Sequence, residues 1–264
     1  MTRGLVGYWD FDEQGSPLVF DKSGQGNDGI INDGGSGNPV SYWTFDEGTG
    51  QTAFDESLNN NDGRLGSTTA VDAGDPAWVE GKYGSALSFD GVNDYVDCGT
   101  RPSLEPGYGD YTIEAWIKAI QDRTSDRAIY YYYWGTVYNA LRIILENGAV
   151  RYYVRTAPTN ASWRDTLTAV DDNTWHHIVA TWKGDIDTIN LYLDGQENQG
   201  ALTKAGTVGN IASGGNYYIG VDKIGAGGRW YFNGLIDDVR IYNYARTPAQ
   251  ILQDYNAGFS THFK

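Results

Sequence analysis

What most constrains this chain is a succession of short runs that alternate apolar and polar residues, separated by turn dipeptides. Tyr111-Thr112-Ile113-Glu114-Ala115-Trp116-Ile117-Lys118 alternates with period two, the signature of a half-buried strand whose successive side chains face opposite sides. Leu141 to Leu145 and Ala149 to Val154 flank Glu146-Asn147-Gly148, and Ile189 to Leu193 runs into Asp194-Gly195. Asn-Gly and Asp-Gly between β-rich runs predict tight hairpins, because both residues tolerate positive φ. Further strands are predicted at Ala86 to Phe89 and Asp94 to Asp97, at Trp175 to Trp182, at Tyr217 to Val221 and at Leu235 to Tyr242.

One helix is predicted. Thr247 is its N-cap, Pro248 takes the first helical position, Gln250 stands three residues after the cap, and Gly258 sits where a terminator belongs. Ile251, Leu252 and Tyr255 form its apolar stripe. Many short strands and one terminal helix predict an antiparallel double layer, a sandwich or jelly roll.

The N-terminus carries an internal repeat. Tyr8-Trp9-Asp10-Phe11-Asp12-Glu13 recurs as Tyr42-Trp43-Thr44-Phe45-Asp46-Glu47, at an offset of 34 residues that also relates Phe20-Asp21 to Phe54-Asp55 and Asn27-Asp28-Gly29 to Asn61-Asp62-Gly63. Solenoids need at least three copies, so the pair reads as one duplicated segment. The Gly-rich stretch Asn32 to Pro39 between the copies reads as a flexible linker. Residues 1–38 are therefore a duplicate of the first strand motif plus linker, and residues 39–264 form the domain proper.

Charge and cysteine usage remove several function classes. The net charge of −15 argues against a nucleic-acid binder, whose partner needs clustered basic residues, and against an anionic membrane surface. A single cysteine, Cys98, excludes an internal disulfide framework and a cysteine-based zinc site. No apolar run approaches the ~18 residues of a membrane span. Met1-Thr2-Arg3-Gly4 lacks the pattern of a secretory signal, so the protein stays inside the cell or a signal has been removed.

The aromatic residues suggest a ligand. Tyr130-Tyr131-Tyr132-Tyr133-Trp134 reads as a strand with rings on both faces, one serving the core and the other presenting two or three aromatic rings; Tyr131, Tyr133 and Trp134 are the candidates taken from it. Flat rings stack on the C–H faces of pyranose sugars while neighbouring polar groups read the hydroxyls. Trp163 reads as part of a polar loop, Asn160 to Asp165, and Arg229-Trp230 follows the mobile-looking run Gly225 to Gly228. Trp163, Arg229 and Trp230 join the candidate carbohydrate site; the competing reading is that these side chains cap the ends of the sandwich. His176 and His177 are adjacent on a strand, so they face opposite ways and cannot form a dyad.

An ordered set of motifs resembles a known family. Trp43-Thr44-Phe45-Asp46-Glu47, Gly81 to Gly91 and Tyr111 to Trp116 are followed by Trp175-His176-His177-Ile178-Val179-Ala180, Leu191 to Gly195 and Phe232 to Asn243. The set is similar to the laminin-G-like group of the concanavalin A-like lectin/glucanase superfamily over roughly residues 39 to 258. The resemblance implies an all-β concanavalin A-like jelly-roll sandwich of two antiparallel sheets with one short C-terminal helix. It also implies a structural calcium ion on the convex sheet, at positions matching Asp46, the Gly84 carbonyl and Asp237; the competing reading leaves Asp237 merely facing solvent.

Three functions follow as expectations. The leading one is a non-catalytic carbohydrate-binding or adhesive lectin-like module, extracellular or at the cell surface, stabilised by calcium and partnered by a glycan or glycoprotein. The second is an assembly subunit, a homo-oligomer that donates its N-terminal strand to a neighbour. The third, a glycan-cleaving enzyme, lacks the closely spaced carboxylates along one strand that such chemistry needs: Glu114 stands alone, and Asp185 and Asp187 sit in a turn.

Overall fold

The computed structural model describes residues 8, 18–19, 22–23, 29–30, 37–122, 125–133, 140–211, 214–222 and 230–257. Two large antiparallel sheets stack face to face. The nine-stranded sheet runs in the order Thr203–Ala205, Asn160–Ala169, Ala149–Ala157, Ala140–Glu146, Arg127–Tyr133, Asn216–Ile219, Val96–Gly99, Gly63–Leu65, Thr52–Ala53. The eight-stranded sheet runs Gln196–Glu197, Thr188–Leu193, Trp175–Lys183, Tyr111–Ala119, Asn233–Tyr242, Ser85–Asp90, Ala77–Glu80, with Ser41–Trp43 pairing the Asn233–Tyr242 strand. This is the two-layer all-β sandwich expected from the pattern.

Period-two alternation decides which side chains enter the core. Tyr130, Tyr132, Leu141, Ile143, Tyr152 and Val154 from one sheet meet Ile113, Ala115, Ile178, Ala180, Ile236 and Ile241 from the other. The hairpin turns have the expected chemistry: Asn147 and Gly148 sit at φ 53° and 85°, Asp194 and Gly195 at 51° and 76°. The single cysteine, Cys98, is buried, and burial pushes its thiol up out of the reactive range.

The helix Pro248–Ala257 begins with the expected reciprocal cap: Gln250 N donates to Thr247 Oγ1 at 3.3 Å, and Thr247 N donates to Gln250 Oε1 at 2.9 Å. It covers the outer face of the eight-stranded sheet, where Tyr255 stacks on Trp116 at 5.6 Å. Ile251 is fully buried, whereas Leu252 is more than a third exposed; the buried stripe is therefore narrower than the sequence suggests. Gly258 lies outside the described residues.

His176 and His177 face opposite ways, and their surroundings push them in opposite directions. Hydrogen bonding to Asp194 (2.9 Å) raises the His176 pKa, whereas burial between Trp116 and Tyr255 lowers that of His177. The stability from His176 is present below the unfolded value of about 6.5 and is lost as pH rises through the folded one. That from His177 is present above about 6.5 and is lost as pH falls. His176→Gln is therefore expected to cost more stability at pH 5.5 than at pH 8.5, and His177→Gln the reverse. Denaturant titrations of both variants at the two pH values check this, and parallel pH profiles would refute it.

Candidate functional site

The outer face of the nine-stranded sheet carries one transverse row of side chains. Strand register places Asp97, Tyr218, Tyr131, Arg142, Tyr153, Trp163 and Thr203 opposite one another on seven successive strands. Neighbouring strands lie ~4.8 Å apart, so the row is a continuous band across the sheet. Tyr153 and Trp163 lie 6.0 Å apart with their planes tilted by 32°. Arg142 sits 4.5 Å from the Tyr153 ring and 5.1 Å from the Trp230 ring. Its Nη1 donates to Asp222 Oδ2 at 2.9 Å.

The short antiparallel pair Val221–Asp222 and Trp230–Tyr231 lies over the middle of this band: Val221 and Tyr231 pack with Tyr131 and Tyr218, and Trp230 lies over Arg142. Beneath it Tyr131 is 0% exposed, so its ring is a floor and the contact surface is the half-buried set Arg142, Tyr153, Trp163 and Trp230. Tyr133 stacks on Tyr131 at 6.0 Å and remains half-buried at the edge of the band. Trp134 and Arg229 lie outside the described residues.

Trp163 is not in a loop, as its polar surroundings suggest, but in the strand Asn160–Ala169. The polarity has a physical reason. The inward positions Ser162 and Arg164 lie at the rim of the sandwich and bond to the other sheet and the turn that leads into it, Arg164 Nη1 to Asn190 Oδ1 at 3.5 Å and Ser162 Oγ to Asp187 Oδ2 at 2.8 Å.

Sequence reasoning missed Arg142, Tyr153, Tyr218 and Asp222. A charged residue between Leu141 and Ile143 was the available signal, since it marks the outward side of an otherwise apolar strand. The carboxylates flanking the band are engaged. Asp97 pairs with Arg64 at 3.2 Å, Asp222 with Arg142, and Asp165 with Arg151 Nε at 2.6 Å, while Glu146 pairs with the same Arg151. The bond to Asp165 holds the Arg151 guanidinium above its usual range.

The residues of the implied metal site converge on the opposite side of the molecule, at the turn Gly81–Ser85. Asp46 Oδ1 accepts from Ser85 N at 2.9 Å, and Asp237 Oδ2 accepts from Lys82 N and Tyr83 N at 2.8 and 3.2 Å. Asp237 does not face solvent: it is 0% exposed, and its Oδ1 has no hydrogen-bond partner. Burial, then the neighbouring Asp238, pushes its carboxyl up to about 9. A β-bulge with Asp238 at φ 50° turns both acids outward. Glycines cradle the carboxylates: a Cβ on Gly84 would lie 1.9 Å from Asp46 Oδ1, and one on Gly81 2.6 Å from Asp237 Oδ2. The Gly84 carbonyl accepts from Gly81 N at 3.0 Å and keeps a second lone pair. An orphaned buried oxygen beside a second carboxylate and a turn carbonyl fits a hard, oxygen-seeking cation. Among the described residues no group of three or more His, Cys, Asp or Glu side chains is placed to hold a metal, so carbonyls would have to complete the shell.

Fold and face together define a lectin-like sandwich with an aromatic band on one sheet. The chain belongs to the Laminin_G_3 family, described as concanavalin A-like lectin/glucanases superfamily, whose model matches residues 90–252. Among solved structures it is similar to the binding domain of Paraclostridial Mosquitocidal Protein 1, at 16% identity and TM-score 0.65, covering 84% of this chain and 53% of that one. It is also similar to domain 4 of AbnA, a GH43 extracellular arabinanase from Geobacillus stearothermophilus, in complex with arabinotriose, at 19% identity and TM-score 0.59, covering 83% and 98%. A third is the binding domain of Botulinum Neurotoxin DC in complex with SialylT, at 12% identity and TM-score 0.61, covering 83% and 51%. The chain thus spans about half the length of the toxin binding domains it matches. At these identities the likeness is one of fold. Among the described residues no helix is long and apolar enough to cross a membrane.

Proposed function

We propose that this chain is a non-catalytic carbohydrate-binding module that works outside the cell and is braced by calcium. The observation that carries the reading is the band Arg142–Tyr153–Trp163 with Trp230 above it. It offers flat apolar faces beside a guanidinium whose donors reach sugar hydroxyls. Non-catalysis is supported by the arginine pairing of Asp97, Glu146, Asp165 and Asp222, which leaves none of these four poised as a proton donor or nucleophile. The complexes with arabinotriose and SialylT among similar folds support a sugar ligand, and the extracellular arabinanase supports the setting. Calcium is held by Asp46, the Gly84 carbonyl and Asp237 on the other sheet, so it stabilises the fold and does not touch the sugar. The net charge of −15 disfavours polyanionic glycans at low salt.

A glycan array with the full chain identifies the ligand, and titrations of variants on that ligand test the site. Trp163→Ala and Trp230→Ala are each expected to weaken binding about tenfold or more, the equivalent of ~1.4 kcal/mol, with melting temperature held. Arg142→Met is expected to weaken binding by a similar factor by removing charged hydrogen bonds worth roughly 1.5–3 kcal/mol, and also to lower the melting temperature, because it takes the guanidinium from the buried Asp222. Unchanged affinity in all three folded variants, or release of reducing ends by the parent, would defeat the proposal.

A further inference from the structure

At the residues of the first copy that the structure describes, the N-terminal duplication is repeated in backbone pairing as well as in sequence. Its two short strands pair Leu18 with Ile30 and Val19 with Gly29, and the second copy pairs Thr52 with Arg64 and Ala53 with Gly63. Each position is shifted by the same 34 residues. A backbone hydrogen bond repeats at the same shift: Lys22 N donates to Tyr8 O at 2.8 Å, and Glu56 N to Tyr42 O at 2.8 Å. Among the described residues the first hairpin pairs with itself and with neither large sheet.

The second copy is a plug that joins the two sheets. Trp43 lies opposite Val239 in one sheet, and Leu65 lies opposite Val96 in the other. Trp43, Phe45 and Ala53 are 0% exposed. Asp55 ties the plug together, accepting from Tyr42 N and Asn61 N, both at 2.8 Å, while Trp43 Nε1 donates to Asn61 O at 3.0 Å. Asp46 bonds the plug to the turn at Ser85.

The first copy keeps the residues these contacts require. Trp9 and Phe11 stand at the positions of Trp43 and Phe45, Asp21 and Asn27 at those of Asp55 and Asn61, and Asp12 at that of Asp46. The most telling position is Gly63. A Cβ there would lie 2.5 Å from Val96 Cγ1, so the slot and not the hairpin demands glycine, and the first copy has Gly29 there. A segment free of the slot would have no steric reason to keep it. We infer that residues 6–31 are a second plug for the slot that residues 40–65 fill, and that one chain can close its sandwich with either.

Each chain has one slot and two plugs. Donation between identical chains leaves the number of filled slots unchanged, while the tether makes the intramolecular plug the concentrated one. Exchange within a chain loops out residues 32–65, and loop closure grows only slowly with length. That loop, and the larger Val19 at the tightly buried place of Ala53, keep the second copy in the slot of the unmodified protein.

The test is a melt of four full-length chains: parent, Trp9→Ala/Phe11→Ala, Trp43→Ala/Phe45→Ala, and all four substitutions. The first pair is expected to leave the melting temperature within about 1 °C of the parent. The second pair is expected to lower it by only a few degrees, with the chain still a monomer by light scattering. All four together are expected to lower it by far more than the sum, or to abolish cooperative melting. Limited proteolysis with mass spectrometry reports which plug is seated: protection should pass from residues 40–65 in the parent to residues 6–31 in Trp43→Ala/Phe45→Ala. Additive losses, an unfolded Trp43→Ala/Phe45→Ala chain, an unchanged cleavage map, or oligomers in that variant would each overturn the inference.

Discussion

Melted in saturating calcium, the protein is expected to unfold roughly 5–10 °C above its melting temperature in chelator. An ion that binds only the folded state at one hundred times its dissociation constant adds about 2.7 kcal/mol. For a chain of this size each kcal/mol moves the melting temperature by about 2–4 °C. The physical source is the buried Asp237 Oδ1, which has no partner, set near Asp46 across the Gly81–Ser85 turn. A surface hollow lined by Gly48, Trp78, Glu80, Gly84 and Ser85 opens beside that turn and gives an ion a path. Matched sodium chloride should not reproduce the shift. Asp237→Asn keeps an oxygen for the Lys82 and Tyr83 amides but removes the charge, and should lose the shift. Gly84→Ala should also lose it, because the methyl would take the space of the Asp46 carboxylate and the backbone there sits at φ +58°. Equal parental melting temperatures in calcium and chelator, after verified metal removal, would rule the site out.

Arg240→Met is expected to cost more stability than any other surface-directed substitution in the eight-stranded sheet, about 3–5 kcal/mol. Arg240 Nη1 donates to Glu114 Oε1 at 3.0 Å, and its Nη2 donates to the Tyr42 hydroxyl at 2.9 Å. Tyr42 in turn donates to Asp238 Oδ1 at 2.7 Å. Glu114 is 1% exposed. Without Arg240 its charge is left, among the described residues, with Arg246, 3.9 Å away, the Tyr242 hydroxyl at 3.4 Å and the neighbouring Asp254 carboxyl. A buried charge stripped of its partner is costly, whereas removing both partners together is often near neutral. Glu114→Leu combined with Arg240→Met should therefore recover most of the loss. Denaturant unfolding of parent, both single variants and the double variant measures the coupling, and a double variant as weak as the sum of the singles would refute it.

The site was legible in part. Alternation along Tyr130–Tyr133 is a property of local backbone geometry, so the sequence divides its rings between two faces, and the structure does place Tyr130 and Tyr132 in the core and Tyr131 and Tyr133 on the other face. The Asn147-Gly148 and Asp194-Gly195 turns and the Thr247–Gln250 cap are local in the same sense. Each rests on residues a few positions apart whose preferred dihedrals and hydrogen bonds do not await the rest of the chain.

What only the tertiary structure decided is which distant strands lie side by side. The band from Tyr218 through Arg142 to Trp163 draws on strands scattered from Arg127 to Ile219, and their neighbours are set by register across the whole sheet. Glu114 looked solitary because its partner Arg240 is 126 residues away. Tyr131 looked available because nothing local announces the strand pair that covers it. Trp163 looked like a loop residue because the polar groups beside it are satisfied by Asn190 of the opposite sheet and by Asp187 in the turn that leads into the same strand. Period, turns and caps are set by short-range sterics; the pairing of charges, the covering of rings and the filling of a slot depend on contacts that exist only once both sheets have closed on one core.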